Sequence, residues 1–194
     1  SLSIYQSIVI SAMNFSNRII IASLTMSLVA IALGCNKLND LVNFKMSYTS
    51  EVTVPSSLGV NLPLDILTPP VSTDAESTFN SNNTNKKLVK EIYLENVDIS
   101  VKAPEGRDLS FLSSLHVYIN ADGLDEKLLV SAENVPDNVG NMLSLETSGE
   151  NFKEYIIQDT YSLRVKAVTD KLISEDVELS VKSGFKVKAG LLND

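Results

Sequence analysis

The stretch DVELSVKSGFKVKAG, from Asp176 to Gly190, puts Val177, Leu179, Val181, Phe185, Val187 and Ala189 on one parity and Lys182, Lys186 and Lys188 on the other. Apolar and polar residues alternating with a period of two form a strand with one face in a core and one in water. The lysines face the other way, as solvent-side residues or as protection of a sheet edge.

The same period recurs upstream. FKMSYTSEVTV sets Phe44, Met46, Tyr48, Val52 and Val54 against Lys45, Ser47, Thr49, Glu51 and Thr53, and Pro55 ends the run. LPLDILTPP (Leu62 to Pro70) reads as a short edge strand, because proline has no N–H for a central ladder. Ser72 to Lys87 is polar and turn-forming, with Phe79 as an anchor into the core. In EIYLENVDISVKAP the apolar phase slips by one at Asn96, between Ile92 and Leu94 on one side and Val97, Ile99 and Val101 on the other, which predicts a bulge or a change of sheet.

Asp108 is placed as the N-cap of one short helical turn carrying Phe111 and Leu112. A strand follows with Leu115, Val117 and Ile119 inward and His116, Tyr118 and Asn120 outward, then the Asp122-Gly123 turn and a returning KLLVSA. Met142 to Glu146 is a further strand, Gly149 to Ile156 a second short helix, and Tyr161, Leu163, Val165 and Ala167 the buried side of another strand. Many short strands with turns between them predict an all-β fold, an antiparallel β-sandwich with one or two short helical turns. An immunoglobulin- or fibronectin-like topology is the first expectation and a small barrel the alternative.

The front of the chain is different in kind. No charged residue lies between Arg18 and Lys37, and Ile19 to Gly34 is apolar or small throughout, shorter than the roughly 20 residues of a comfortable membrane span. A basic residue, an apolar run and small residues, in that order, form a secretory signal. The sole cysteine of the chain stands at its end, and Ala32-Leu33-Gly34-Cys35 resembles the lipobox of bacterial prolipoproteins, although Ala32 and Leu33 exchange the characters that family more often shows. The resemblance implies cleavage between Gly34 and Cys35 and a diacylglycerol thioether on Cys35, with acylation of the new amine giving the second anchoring signal that stable membrane binding needs. With a lipidated cysteine, a short linker and one β-rich domain, the chain resembles lipoproteins common in Bacteroidota. Asn36 after the cysteine fits transfer to the outer membrane by the sorting rule of enteric bacteria.

The expected organisation is therefore an upstream extension (1–12), a signal peptide starting at Met13 (13–34), a lipidated tether (35–42) and a sandwich domain (43–194). About 160 residues remain after cleavage, a usual length for one domain. With Cys35 acylated, no thiol is left for a disulfide and the fold must stand on its core. The formal net charge is −8, and removing the leader takes away one base and no acid. Such acidity argues against nucleic acid as a partner.

Nothing in the sequence assembles a catalytic constellation. His116 is the only histidine, there is no G-x-S-x-G, and no phosphate-cradling glycine loop occurs. Asp122, Asp125 and Glu126 lie close together near Asn120, but Tyr118 stands where a calcium loop needs an acid five places before its glycine, so no metal and no cofactor is expected. The expected function is that of a non-catalytic envelope lipoprotein, held to the membrane by its lipid and binding an envelope protein partner or serving as an accessory part of an assembly. A glycan- or ligand-binding module is the alternative, with His116, Tyr118, Asn120 and Asp122 as its face and Tyr93 as a second outward aromatic. A carboxylate-based hydrolase is the least favoured.

Expressed with its own leader, the chain should be cut before Cys35, gain acyl mass and enter the detergent phase, whereas Cys35→Ala should do none of these. Intact mass and detergent partitioning check this, and identical behaviour of the two chains would leave Cys35 without an anchoring role.

Overall fold

The computed structural model describes residues 41–56, 59–147 and 149–192. The extension, the signal segment with Met13 and Gly34, and Cys35 with the tether to residue 40 lie outside the described residues. In chain order the elements are β1 (Leu41–Val54), β2 (Pro63–Leu67), β3 (Val71–Ser72), α1 (Ala75–Ser81), β4 (Val89–Ala103), β5 (Leu112–Asn120), β6 (Lys127–Glu133), β7 (Met142–Leu145), α2 (Lys153–Ile156), β8 (Thr160–Thr169) and β9 (Val177–Gly190). Leu41 and Val42, expected in the tether, already pair with Gly190 and Ala189.

The strands form two antiparallel sheets, β1-β9-β4-β7 and β2-β8-β5-β6, with β3 added to β8. The expected β-sandwich is present, and its connectivity is that of a jelly roll. This corrects the immunoglobulin-like topology, in which one sheet holds strands A, B, E and D and the other C, F and G. Here the first strand pairs with the last, and the chain repeatedly crosses from one sheet to the other. Periodicity selects the face that each strand buries, and it leaves the choice of neighbour open.

Burial follows the parity read from the sequence. All six apolar residues of 176–190 are buried, as are Leu115, Val117 and Ile119 on β5 and Tyr161, Leu163, Val165 and Ala167 on β8. The rule holds even where the residue is polar: Ser50 and Ser183 occupy core-side positions, and their hydroxyls, with that of Tyr161, are buried and have no hydrogen-bond partner among the described residues. Burial pushes the phenols of Tyr161 and Tyr48 well above the ordinary range, so both stay neutral. The Tyr48 hydroxyl donates to the carbonyl of Thr73 at 2.8 Å, while its ring meets that of Tyr161 edge-on at 5.6 Å.

Two local expectations are corrected. Asp108 caps no helix; its carboxylate accepts from the Ser110 N–H at 3.1 Å and from the Ser110 hydroxyl at 2.6 Å, closing a turn that delivers Leu112 directly into β5. The polar stretch 72–87 contains a helix, α1, held by the expected anchor: Phe79 is fully buried and meets Phe44 at 6.1 Å. The helix expected over 149–156 forms as α2, preceded by buried Phe152, whose N–H donates to the Ile92 carbonyl at 2.7 Å. As expected for an edge, β2 begins at Pro63 and pairs only with β8.

The phase slip at Asn96 is a bulge between β4 and β9, where the register shifts between Leu94 and Asn96 and Asn96 faces Gly184. Its amide fills the space over the glycine. A Cβ at 184 would lie 2.3 Å from Asn96 Oδ1, and the same amide donates to Asp98 at 2.8 Å. Gly184→Ala should therefore lower stability by about 1–3 kcal/mol. In a denaturant double-mutant cycle, Gly184→Ala combined with Asn96→Ala should cost less than the sum of the two, whereas simple additivity would mean that the amide is not what excludes the methyl group.

Candidate functional site

Because β5 buries its odd residues from 115 to 119, it presents His116, Tyr118 and Asn120 on the outer face of the second sheet. The register supplies their neighbours. His116 lies between Lys166 on β8 and Ser131 on β6, Tyr118 lies between Arg164 and Leu128, and Asn120 lies opposite Ser162. On the far side of β8, Asp65 faces Lys166 and Leu67 faces Arg164. Two rows thus cross four strands side by side: Leu67, Arg164, Tyr118 and Leu128, and beside it Asp65, Lys166, His116 and Ser131.

On this face Asp65, Arg164 and Glu126 are ion-paired, while Lys166 makes no ion pair among the described residues. Arg164 reaches Asp65 through a terminal nitrogen at 3.3 Å, and its Nε stands 2.8 Å from Glu126, off the line of the N–H, so that contact is an ion pair without a directed hydrogen bond. His116 Nε2 is 3.0 Å from Glu133. The His116 and Tyr118 rings lie nearly parallel, 15° apart with centroids 6.4 Å from each other, and the Lys166 ammonium stands 4.9 Å from the Tyr118 centroid. Among these groups Leu67 and Leu128 remain as exposed apolar side chains, 56% and 42% accessible, one on each edge strand of the sheet.

The structure brings together His116 and Tyr118, carries Asn120 one step along the same face, and leaves Asp122 apart. Asp122 sits in the six-residue loop between β5 and β6, exposed and without a side-chain hydrogen bond among the described residues. Gly123 takes the left-handed conformation there (φ 72°), and the Tyr155 hydroxyl donates to the Asp125 carbonyl at 2.6 Å, tying the loop to α2. Tyr93 is on β4 in the other sheet, so it shares no surface with Tyr118.

The members that sequence reading missed are Arg164, Lys166, Asp65, Leu67, Leu128 and Glu133; Glu126, read as an oxygen ligand near Asn120, stands instead against Arg164. Arg164 and Lys166 do occupy the wet parity of YSLRVKAV, so their exposure was legible, but their place beside His116 depends on the β5–β8 pairing.

Chemically this is the outer face of a sheet on which Arg164 is paired with Asp65 and Glu126, while Lys166 stands over the Tyr118 ring without an ion pair among the described residues. No hydroxyl donates to His116 among the described residues, and no group of three or more His, Cys, Asp or Glu converges there in a way that could hold a metal. A hollow of about 270 Å³ beside α1 collects Asp74, Glu76 and Asp159, but it is open to solvent and Asp159 is paired with Lys86 at 2.9 Å. That is a poor setting for two carboxylates acting on one bond. No described helix is long and apolar enough to cross a membrane.

No family model and no curated protein matches the chain. Among solved structures it is similar to the BFDV capsid protein in its 60-mer form, at 7% identity over 82% of this chain and 98% of that one, with a TM-score of 0.38. It is also similar to the module CpGH89CBM32-5 from Clostridium perfringens, solved in complex with GalNAc-β-1,3-galactose, at 10% identity over 73% and 94% with a TM-score of 0.35. FLHE gives 12% identity over 76% and 97% with a TM-score of 0.31. Scores this low carry no inference about what the chain does.

Proposed function

We propose that the chain is an exported lipoprotein, anchored through Cys35 at the outer membrane, whose jelly roll is a non-catalytic module that binds a protein partner through the outer face of the β2-β8-β5-β6 sheet. The observation that carries this reading is the row Leu67, Arg164, Tyr118, Leu128. Tyr and Arg are the side chains most often responsible for binding energy in protein interfaces, and here they lie at the centre of the sheet with apolar side chains beside them and the row of Asp65, Lys166 and His116 alongside. A small ligand needs a concave site, and the two hollows near α1 take none of their lining from this row, whereas the outer face of a sheet offers a broad contact area for another protein.

The glycan-binding alternative rests on Tyr118 as a stacking platform. Two facts weigh against it: the Lys166 ammonium already stands over the ring, and the second outward tyrosine, Tyr93, lies on the opposite sheet. The carboxylate hydrolase gains no support from the hollow beside α1, which is open to solvent and whose Asp159 is paired with Lys86.

A benzophenone amino acid placed at position 118 of the full-length protein, in the envelope of its own host, should give one discrete protein adduct whose mass differs from that of two crosslinked copies of the chain. The adduct should be lost on Leu67→Asp or Leu128→Asp and should not form from position 93. No adduct at 118, or equal adducts from 118 and 93, would refute the reading. Tyr118→Ala should change stability by less than about 1 kcal/mol, as expected of a half-exposed side chain that the core does not need.

A further inference from the structure

We infer that β1 is a self-pairing edge: two copies of the chain join their β1 strands antiparallel about a two-fold axis at Tyr48, merging two four-stranded sheets into one of eight. This surface is separate from the face proposed above, and it stands or falls independently of it.

An exposed edge is a template for a further strand, and proteins usually blunt it. The other edges here are blunted. β7 is 4 residues long, β2 is 5 residues long and begins at Pro63, and β6 carries a bulge against β5. By contrast β1 runs for 14 residues in unbroken register with β9, and among the described residues no backbone group pairs with its other side.

The strand is also complementary to itself. In an antiparallel pair centred on Tyr48, Lys45 falls opposite Glu51 of the partner copy, and by symmetry Glu51 falls opposite the partner's Lys45. Each charge is already joined to an opposite one on its own chain, Lys45 to Glu95 at 2.7 Å and Glu51 to Lys102, so pairing would link four alternating charges on each side of the axis. On the core side the same register sets Val42 against Val54, Phe44 against Val52, and Tyr48 against Tyr48 of the second copy. Val42, Phe44 and Tyr48 are the side chains of this strand that the single chain leaves only partly covered. Moving the centre one residue to either side removes both Lys45–Glu51 contacts and places each charge opposite an uncharged residue. Charge complementarity therefore selects a second copy as the occupant and fixes its register.

The test uses full-length chains carrying two different affinity tags, co-expressed and extracted in mild detergent. Parent chains should co-purify. Lys45→Glu paired with itself, and Glu51→Lys paired with itself, should each lose about tenfold in recovered partner, because every cross-strand charge contact becomes repulsive. Lys45→Glu mixed with Glu51→Lys should recover to near the parent level, since both contacts are then attractive again. That rescue also shows that each variant is folded. The milder Lys45→Gln should give an intermediate loss of about threefold. Failure of the parent chains to co-purify, equal recovery for all pairs, or no rescue in the mixture would each overturn the proposal.

Discussion

The pairing of β9 with both β1 and β4 is the interaction on which the rest of the molecule depends. β9 joins the two ends of the described domain, from Leu41 opposite Gly190 to Val54 opposite Val177, and carries Val177, Leu179, Val181, Phe185, Val187 and Ala189 into the core. Contacts this distant in sequence are costly to form and, once formed, hold every intervening crossover in place. At one end of the pair the Ser56 N–H donates to Asp176 at 2.8 Å, which holds that carboxyl below its usual range; at the other, Gly190 accepts from the Thr84 hydroxyl at 2.6 Å and donates its N–H to Leu88 at 2.9 Å. The loop after α1 is thereby fastened to the end of β9.

Once the first sheet is fixed, the second must face it with its own apolar parity, and that requirement builds the candidate site. Leu115, Val117 and Ile119 can enter the core only if His116, Tyr118 and Asn120 leave it. The opposite parity of β8 then necessarily brings Arg164 and Lys166 alongside. The site is the wet side of a packing solution, in which strand pairing sets Asp65 and the adjoining loop's Glu126 beside Arg164 and Glu133 beside His116, and leaves Lys166 over the Tyr118 ring.

Parity was legible in the sequence because it is local. The strand faces, the bulge at Asn96, the anchor Phe79 and the edge character of Leu62 to Pro70 all follow from residues a few positions apart. What was illegible is long-range or finely balanced. The pairing of β1 with β9 leaves no local trace, so the jelly roll and the neighbours of Tyr118 were out of reach. α1 is written in Ser, Thr and Asn, poor helix formers, and begins after Asp74 in a left-handed conformation (φ 43°), so its helicity comes from burying Ala75 and Phe79. At Asp108 the same cap chemistry that starts helices closes a turn, because the residues after it are claimed by β5.

The two surfaces put forward differ in what a partner must supply. On the outer face of the second sheet the central strands are paired on both sides and Arg164 is already held by Asp65 and Glu126, so a partner gains chiefly by covering Leu67, Tyr118 and Leu128. Along β1 the capacity that is unpaired among the described residues lies in the backbone itself, and side-chain charge serves to choose the register. A face of the first kind tolerates substitution at its rim and is sensitive at its centre, whereas an edge of the second kind tolerates most side-chain changes and is sensitive to charge sign. That contrast follows from which groups the fold leaves unpaired, and it holds whatever molecule the first face binds.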